Sequence, residues 1–315
     1  MSLHLLQEQI ENAIAAADAH VGVAMRHLER DEELMVNADD SFPMASVLKI
    51  PVLVEAFRQL DAGRFTLDDR WELTVAEKNL GSGVLTHFDD GLTPTVRDLL
   101  TLMMIISDNT ATDMVIHRLG LDAINVTIRE LGLQHTFLPM TIRQIFESIL
   151  PSADPTQDQY TQALAAKDFV PPPGPGGSPA GYSLGPDNNI STPRDMTGLL
   201  EMIWTGRVAS RAACDGMLGV MLKQTLNDRL PRFLPPGTKV AHKTGTLSGF
   251  RNDAGIIYVG DDNHVAVTVF SRWDSKAVKG DPAAERRRQF EIDSAFGHIA
   301  RAVYDHYAAA NRETK

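Results

Sequence analysis

Apolar residues recur at helical spacing over residues 4–18 (Leu5, Leu6, Ile10, Ile14), which predicts an amphipathic helix at the start of the chain. Two short strand-like runs follow, Val21 to Met25 and Glu33 to Val36, joined by a charged turn in the manner of a hairpin. A helix is expected from about Ser46, carried by Leu53, Val54, Phe57 and Leu60 to the Ala-Gly at 62–63; Pro51 should loosen or bend its first turns. Thr95 to Ile106, TVRDLLTLMMII, is apolar nearly all round and reads as a helix buried inside a domain. It stops at Ser107-Asp108-Asn109, and another helix runs from Thr110 to Leu119.

From Leu133 to Ile190 the periodicity fails, and PPPGPGGSP at 171–179 predicts an extended, mobile loop. Helical spacing returns at Ser191-Thr192-Pro193 through Ile203, and again over Arg211 to Lys223. Beyond Pro236 the period becomes two. Val240 to Thr246, Ala254 to Val259 and Val265 to Ser271 predict an antiparallel meander, its last turn being Gly260-Asp261-Asp262-Asn263. A long helix from Ala283 to Ala310 closes the chain.

Composition narrows what such a chain can be. At 315 residues, 43% hydrophobic and 23% charged, it has ample core for one large or two ordinary domains. The 30 basic against 41 acidic side chains give a net charge of −11, which argues against nucleic acid as a partner. The basic run Arg286 to Arg288 lies beside Glu285 and Glu291 and reads as a solvated helix face. The single cysteine, Cys214, excludes an internal disulfide and sits at an apolar-periodic position, as a buried inert thiol would. The ten histidines form no pair at ligand spacing, so neither metal nor cofactor is expected. No run of about 18 apolar residues spans a membrane. The first residues read as an amphipathic helix rather than a signal peptide, which leaves the compartment open.

Candidate chemistry begins at FPMASVLKIP, residues 42–51, where Ser46 stands three residues before Lys49. On a helix the two side chains share a face. A serine hydroxyl needs a neighbouring base, and a lysine serves as one only where desolvation leaves it neutral. Alone the motif is weak, since about one S-x-x-K is expected by chance in a chain of this length. Ser107-Asp108-Asn109 either caps the helix that follows or does chemistry. Lys243-Thr244-Gly245-Thr246 lies on the first strand of the meander.

These three signals, in this order, mark class A β-lactamases and penicillin-binding proteins. The sequence resembles that serine β-lactamase and penicillin-binding superfamily, closest to class A, and the likeness extends to GSGVL, SDNTATDMV and STPRDM. It thins between about 134 and 190. The resemblance implies an α+β fold: an antiparallel sheet flanked by helices, built from residues 1–44 and 212–315, against a helical lobe of residues 45–211 with a Pro-rich loop at about 170–187. It implies that Ser46 is the acylated nucleophile and Lys49 its proton acceptor or relay. Ser107 would pass a proton to the leaving nitrogen, and Asn109 would hold the substrate amide and Lys49. Lys243 would keep the pocket cationic and, with Thr244 and Thr246, grip a substrate carboxylate. The backbone N–H groups of Ser46 and Thr246, the latter just after Gly245, would form the oxyanion hole.

Class A members resemble one another in an E-x-x-L-N run whose glutamate orients the deacylating water. Here Glu147-Ser148-Ile149-Leu150-Pro151 stands in that region, and Glu147 is the candidate base. Arg251 is the candidate, on position, for the family's carboxylate-binding arginine. The expected partner is a small acyl donor, a β-lactam or a D-Ala-D-Ala-like molecule, and the expected state is a monomer, periplasmic or secreted by family likeness. Three readings stay open: a β-lactamase; a carboxypeptidase or esterase using the same acylation; and a non-enzymatic penicillin-sensing module.

Overall fold

The computed structural model describes residues 2–149, 180–275 and 280–313, so the Pro-rich segment at 171–179 lies outside the described residues. In chain order the first elements are α1 (Leu3–Ala16), β1 (His20–His27), β2 (Glu33–Val36) and β3 (Phe42–Pro43). A 3-10 turn (Ala45–Leu48) leads into α2 (Lys49–Asp61), α3 (Val96–Ile105), α4 (Asn109–Leu119), α5 (Leu121–Glu130) and α6 (Ile142–Ile149). Then come β4 (Ile190–Ser191), α7 (Pro193–Trp204), α8 (Arg211–Met221), β5 (Val240–Leu247), β6 (Phe250–Gly260), β7 (Asn263–Arg272) and α9 (Pro282–Glu313).

The main sheet is antiparallel with strand order β2-β1-β7-β6-β5. The last strand of the chain pairs with the first, Val23 opposite Val269, so the two chain ends form one layer. Each face of the sheet is covered by helices. On one face, Leu6 and Ile10 of α1 and Ile292, Phe296, Ile299 and Val303 of α9 pack on Val23, Met25, Val267 and Val269. On the other, Ala24, Ala254, Ile256, Ala266 and Phe270 are buried, and α7 lies close to the strands. Thr197 donates to Thr268 Oγ1 at 2.8 Å and to the Ala24 carbonyl at 3.3 Å. With both faces covered, no position of β1, β6 or β7 is fully exposed.

The helical part is built around α3, whose Val96, Leu99, Leu100, Met103 and Met104 are all buried. Thr95 and Asp98 form a reciprocal capping box at its start. Thr192 caps α7 by accepting from Asp195 N, with Pro193 in the first turn as the sequence pattern predicts.

One expectation changes. Ser46 stands in a 3-10 turn, and the α-helix itself starts at Lys49. Pro51 is therefore the third helical residue, where a backbone N–H has no acceptor within the helix, so its ring removes no hydrogen bond. The turn is instead held from the sheet. Asn252 of β6, fully buried, donates through Nδ2 to the carbonyls of Pro43 at 2.8 Å and Met44 at 3.1 Å. Met44 N donates to the Asn189 carbonyl at 2.8 Å, and β3 pairs with β4 alongside.

β5 is an edge strand, and its free side lies against the 3-10 turn. The approach is closest at Gly245, where an added Cβ would lie 2.6 Å from the Met44 carbonyl and 3.1 Å from Val47 Cγ2. The nearest atom, the Met44 carbonyl, and Val47 N at 3.2 Å are both backbone and have little room to yield. Gly245→Ala is expected to destabilise the fold by about 1–3 kcal/mol, read from urea unfolding. An unfolding free energy unchanged from native in that variant would refute this account of the contact.

Candidate active site

Between the 3-10 turn, α4, α6, β5 and α9 lies a cavity of about 320 Å³. Ser46 lines it together with Ser82, Asn109, Thr246 and Arg251. Lys49, one turn beyond Ser46, is fully buried beneath this lining. Its Nζ donates to the Ser107 carbonyl at 2.7 Å, to Ser107 Oγ at 3.0 Å and to Asn109 Oδ1 at 2.9 Å. Burial is the main reason its pKa falls to about 7, with Asp108 and Asp113 opposing the fall.

Two residues next to Ser46 and Lys49 hold left-handed backbone without being glycine: Ala45 at φ 46° and Ser107 at φ 60°. Such conformations cost about 1–3 kcal/mol each and persist where surroundings over-determine them. At Ser107 the surroundings are on hand. Its carbonyl accepts from both Lys49 Nζ and Ser82 Oγ, the latter at 2.7 Å. The next residue, Asp108, caps α4 by accepting from Ala111 N at 2.9 Å. Its other oxygen accepts from Val84 N at 2.6 Å and Leu85 N at 3.0 Å. Gly83 is required there, at φ 123°, because a Cβ would lie 2.3 Å from Asp108 Cγ. Capping and chemistry, alternatives from sequence, are thus divided among neighbours: Asp108 caps while Ser107 and Asn109 face Lys49. Asn109 is fixed in turn by donating Nδ2 to the Leu80 carbonyl at 2.8 Å.

Lys243 of β5 is also fully buried, and its Nζ donates to the Thr244 carbonyl at 2.7 Å. Its pKa is pushed well down, first by burial and then by the Lys49 ammonium, while Asp253 opposes. Thr246 stands beside it on the cavity wall. Arg229, which no sequence motif singled out, holds this stretch of β5 from behind. It donates to the carbonyls of Gly245 (2.9 Å) and Asn252 (2.8 Å), to Thr246 Oγ1 (2.6 Å) and to Asp293 (2.9 Å).

Arg251 pairs with Thr246 across β5 and β6 and lines the cavity. It is 7% exposed, its Nε has no hydrogen-bond partner, and Asp293 lies 3.6 Å away. Burial and the neighbouring Arg229 bring its pKa down to about 10. A buried guanidinium short of acceptors, on the wall of a cavity, is suited to a carboxylate from outside.

Glu147 is not among the residues brought to the cavity. It is exposed, on the outer side of α6. The inner side of that helix presents Ile142, Ile145 and Phe146 to the cavity. At ~3.6 residues per turn, position 147 lies about 200° around the helix from Ile145, so the helical period turns the carboxylate away. The helix is fixed in that setting by Asp113, which accepts from Ile142 N at 2.7 Å and Arg143 N at 2.9 Å. Cys214, as expected, is buried, and desolvation raises its thiol pKa. Among the described residues no helix is long and apolar enough to cross a membrane.

Comparison with known proteins agrees with this geometry. The family model described as "Beta-lactamase enzyme family" matches residues 5–307. The chain is 25% identical to beta-lactamase VEB-1 of Pseudomonas aeruginosa over 312 residues, covering 95% of this chain and 89% of that protein. It is 27% identical to the extended-spectrum beta-lactamase PER-1 of the same organism over 308 residues, covering 91% and 88%. Among solved structures, a beta-lactamase from Sphaerobacter thermophilus DSM 20745 superposes with a TM-score of 0.73 at 30% identity, covering 96% of this chain and 98% of that one. With Ser46, Asn109 and Thr246 lining one cavity and Lys49 and Lys243 fully buried, the chain belongs to the beta-lactamase enzyme family, as a class A-like serine hydrolase.

Proposed function

We propose that the protein opens the amide of β-lactams by attack of Ser46 Oγ and then hydrolyses the resulting ester. The observation that carries this reading is the buried Lys49 ammonium, poised near neutrality and bonded to Ser107 and Asn109 at the edge of a cavity lined by Ser46. Neutral Lys49 takes the Ser46 proton as the hydroxyl adds to the lactam carbonyl. The backbone N–H groups of Ser46 and Thr246 receive the oxyanion. Ser107, hydrogen-bonded to Lys49, returns the proton to the lactam nitrogen as the C–N bond breaks. The substrate carboxylate lies against Thr246 and Arg251, within the positive field of Arg229, with Thr244 and Lys243 buried next to Thr246 on β5. The site thus lies where the sheet lobe, 1–44 with 212–315, meets the helical lobe, 45–211.

Glu147 has no part in this scheme. The α6 wall of the cavity is apolar, Ile142, Ile145 and Phe146, which disfavours a rapidly activated water there and makes deacylation the slow step. The same wall supports a second reading, in which the adduct persists and the protein binds penicillins rather than turning them over. Intact mass spectrometry during incubation with benzylpenicillin separates the two. Gain of one penicillin followed by return to the native mass with product formed is expected; a lasting adduct supports the second reading. Ser46→Ala should give no adduct in either. Glu147→Gln should leave the decay within about twofold of native, as an exposed surface change does; accumulation of acyl-enzyme in that variant would restore Glu147 to the mechanism.

The sign of the pH dependence follows from Lys49. Burial lowers its pKa, so the neutral, proton-accepting form grows as pH rises. The acylation rate should climb about tenfold per pH unit well below neutrality and level off above about 7. A rate that falls through this range would exclude Lys49 as the base.

A further inference from the structure

The cavity has two unlike ends. Towards α6 the wall is apolar; towards α9 it is made of Thr246, Arg251, Glu285 and Gln289. Glu285 is the only carboxylate among the described lining residues. It stands in the first turn of α9, half-buried, and Gln289 one turn on donates Nε2 to its Oε1 at 3.2 Å, which orients it. One further turn along the same helix face comes Asp293, the partner of Arg229 and neighbour of Arg251.

This placement is at odds with simple anion binding. A carboxylate on the wall opposes the substrate carboxylate that Lys243, Thr246 and Arg251 attract, and its field reaches Arg251. The charge is well placed, however, for a molecule that is positive just beyond its own carboxylate. Resting on the acylation reading above, we propose that the α9 end of the cavity is a subsite for zwitterionic β-lactams, with Arg251 facing the carboxylate and Glu285 accepting a cationic substituent on the adjoining ring carbon. The chemistry separates two substrate classes. In a peptide ending in a free carboxylate the chain stops at Arg251, and nothing is attached to reach Glu285. In a cephalosporin the carbon beside the one bearing the carboxylate carries a substituent, which points past it. Arg286 and Arg287 of the same turn are exposed and weaken the attraction, so the effect is that of a solvent-screened pair, a few-fold rather than a hundredfold.

The test compares two cephalosporins with the same acyl side chain, one bearing a pyridiniummethyl group beside the carboxylate and the other an acetoxymethyl group. The quantity read is the ratio of their kcat/KM values in the native protein, Glu285→Gln and Glu285→Lys. Because kcat/KM covers only steps through acylation, slow deacylation does not enter, and the ratio cancels any general loss of fold or chemistry. The expected result is a cationic-to-neutral ratio about three- to fivefold lower in Glu285→Gln, lower again in Glu285→Lys, carried by KM and diminished by added salt. An unchanged ratio overturns the proposal. So does an equal gain for both substrates, which would mean that Glu285 only repels the common carboxylate. If neither compound adds to Ser46 by intact mass, the acylation reading itself fails, and that failure is distinct from either outcome.

Discussion

Lys49 gives its ammonium protons to three acceptors in the Ser107–Asn109 corner, in a place closed to solvent. An unpaired buried charge would be far too costly, and a fully paired one beside a carboxylate would be inert. The fold reaches a middle state by surrounding the ammonium with neutral oxygens and leaving Asp108 and Asp113 at a distance. Much else serves this setting. Ser107 must turn its carbonyl inward, so it takes a left-handed backbone; Asp108 must lock the corner, so it caps α4 and ties down the 82–85 loop; Gly83 must have no side chain, so that the loop can come close. A second fully buried lysine, Lys243 of β5, feels the charge of the first.

Such an arrangement works against stability. A lysine whose pKa is depressed in the folded chain costs folding free energy while it stays protonated, and the penalty is relieved as pH rises from about 7 towards the ordinary lysine range. The compensation lies outside the cavity, in a sheet covered on both faces and in the buried apolar side of α3.

The periodicity of the chain carried most of the architecture. The hairpin, the closing meander, α3 and the terminal helices stand within a few residues of where the hydrophobic pattern puts them, because their burial is regular. The three motifs were legible because each is a short contiguous run, and the fold brings them together although they lie far apart in the chain: Lys49 bonds to Ser107 and Asn109, and Thr246 lines the same cavity as Ser46. What was not legible is what crosses the fold. Arg229 lies in an irregular polar segment, and only the folded chain brings it to Thr246 and Asp293. Asn252 reads as an ordinary polar residue of a strand, yet it clamps the turn two hundred residues upstream. The direction of Glu147 was not legible, because sequence spacing gives neighbourhood but not direction; one step around α6 separates the cavity from solvent. The 3-10 turn at Ser46 was hidden for a like reason, since its shape is imposed by the sheet.

The Asn252 clamp and the close approach of Gly245 to Met44 bind the nucleophile turn to the edge of the sheet. In the proposed reaction the two amide hydrogens that would meet the oxyanion, those of Ser46 and Thr246, therefore lie on segments tied to one another, whereas α6, the apolar wall, is anchored elsewhere, on Asp113. Evolution can accordingly remodel which molecules the hollow admits, by substitutions along α6, while the electrostatic machinery for breaking the amide stays in register. In this scaffold selectivity and reactivity rest on separate supports.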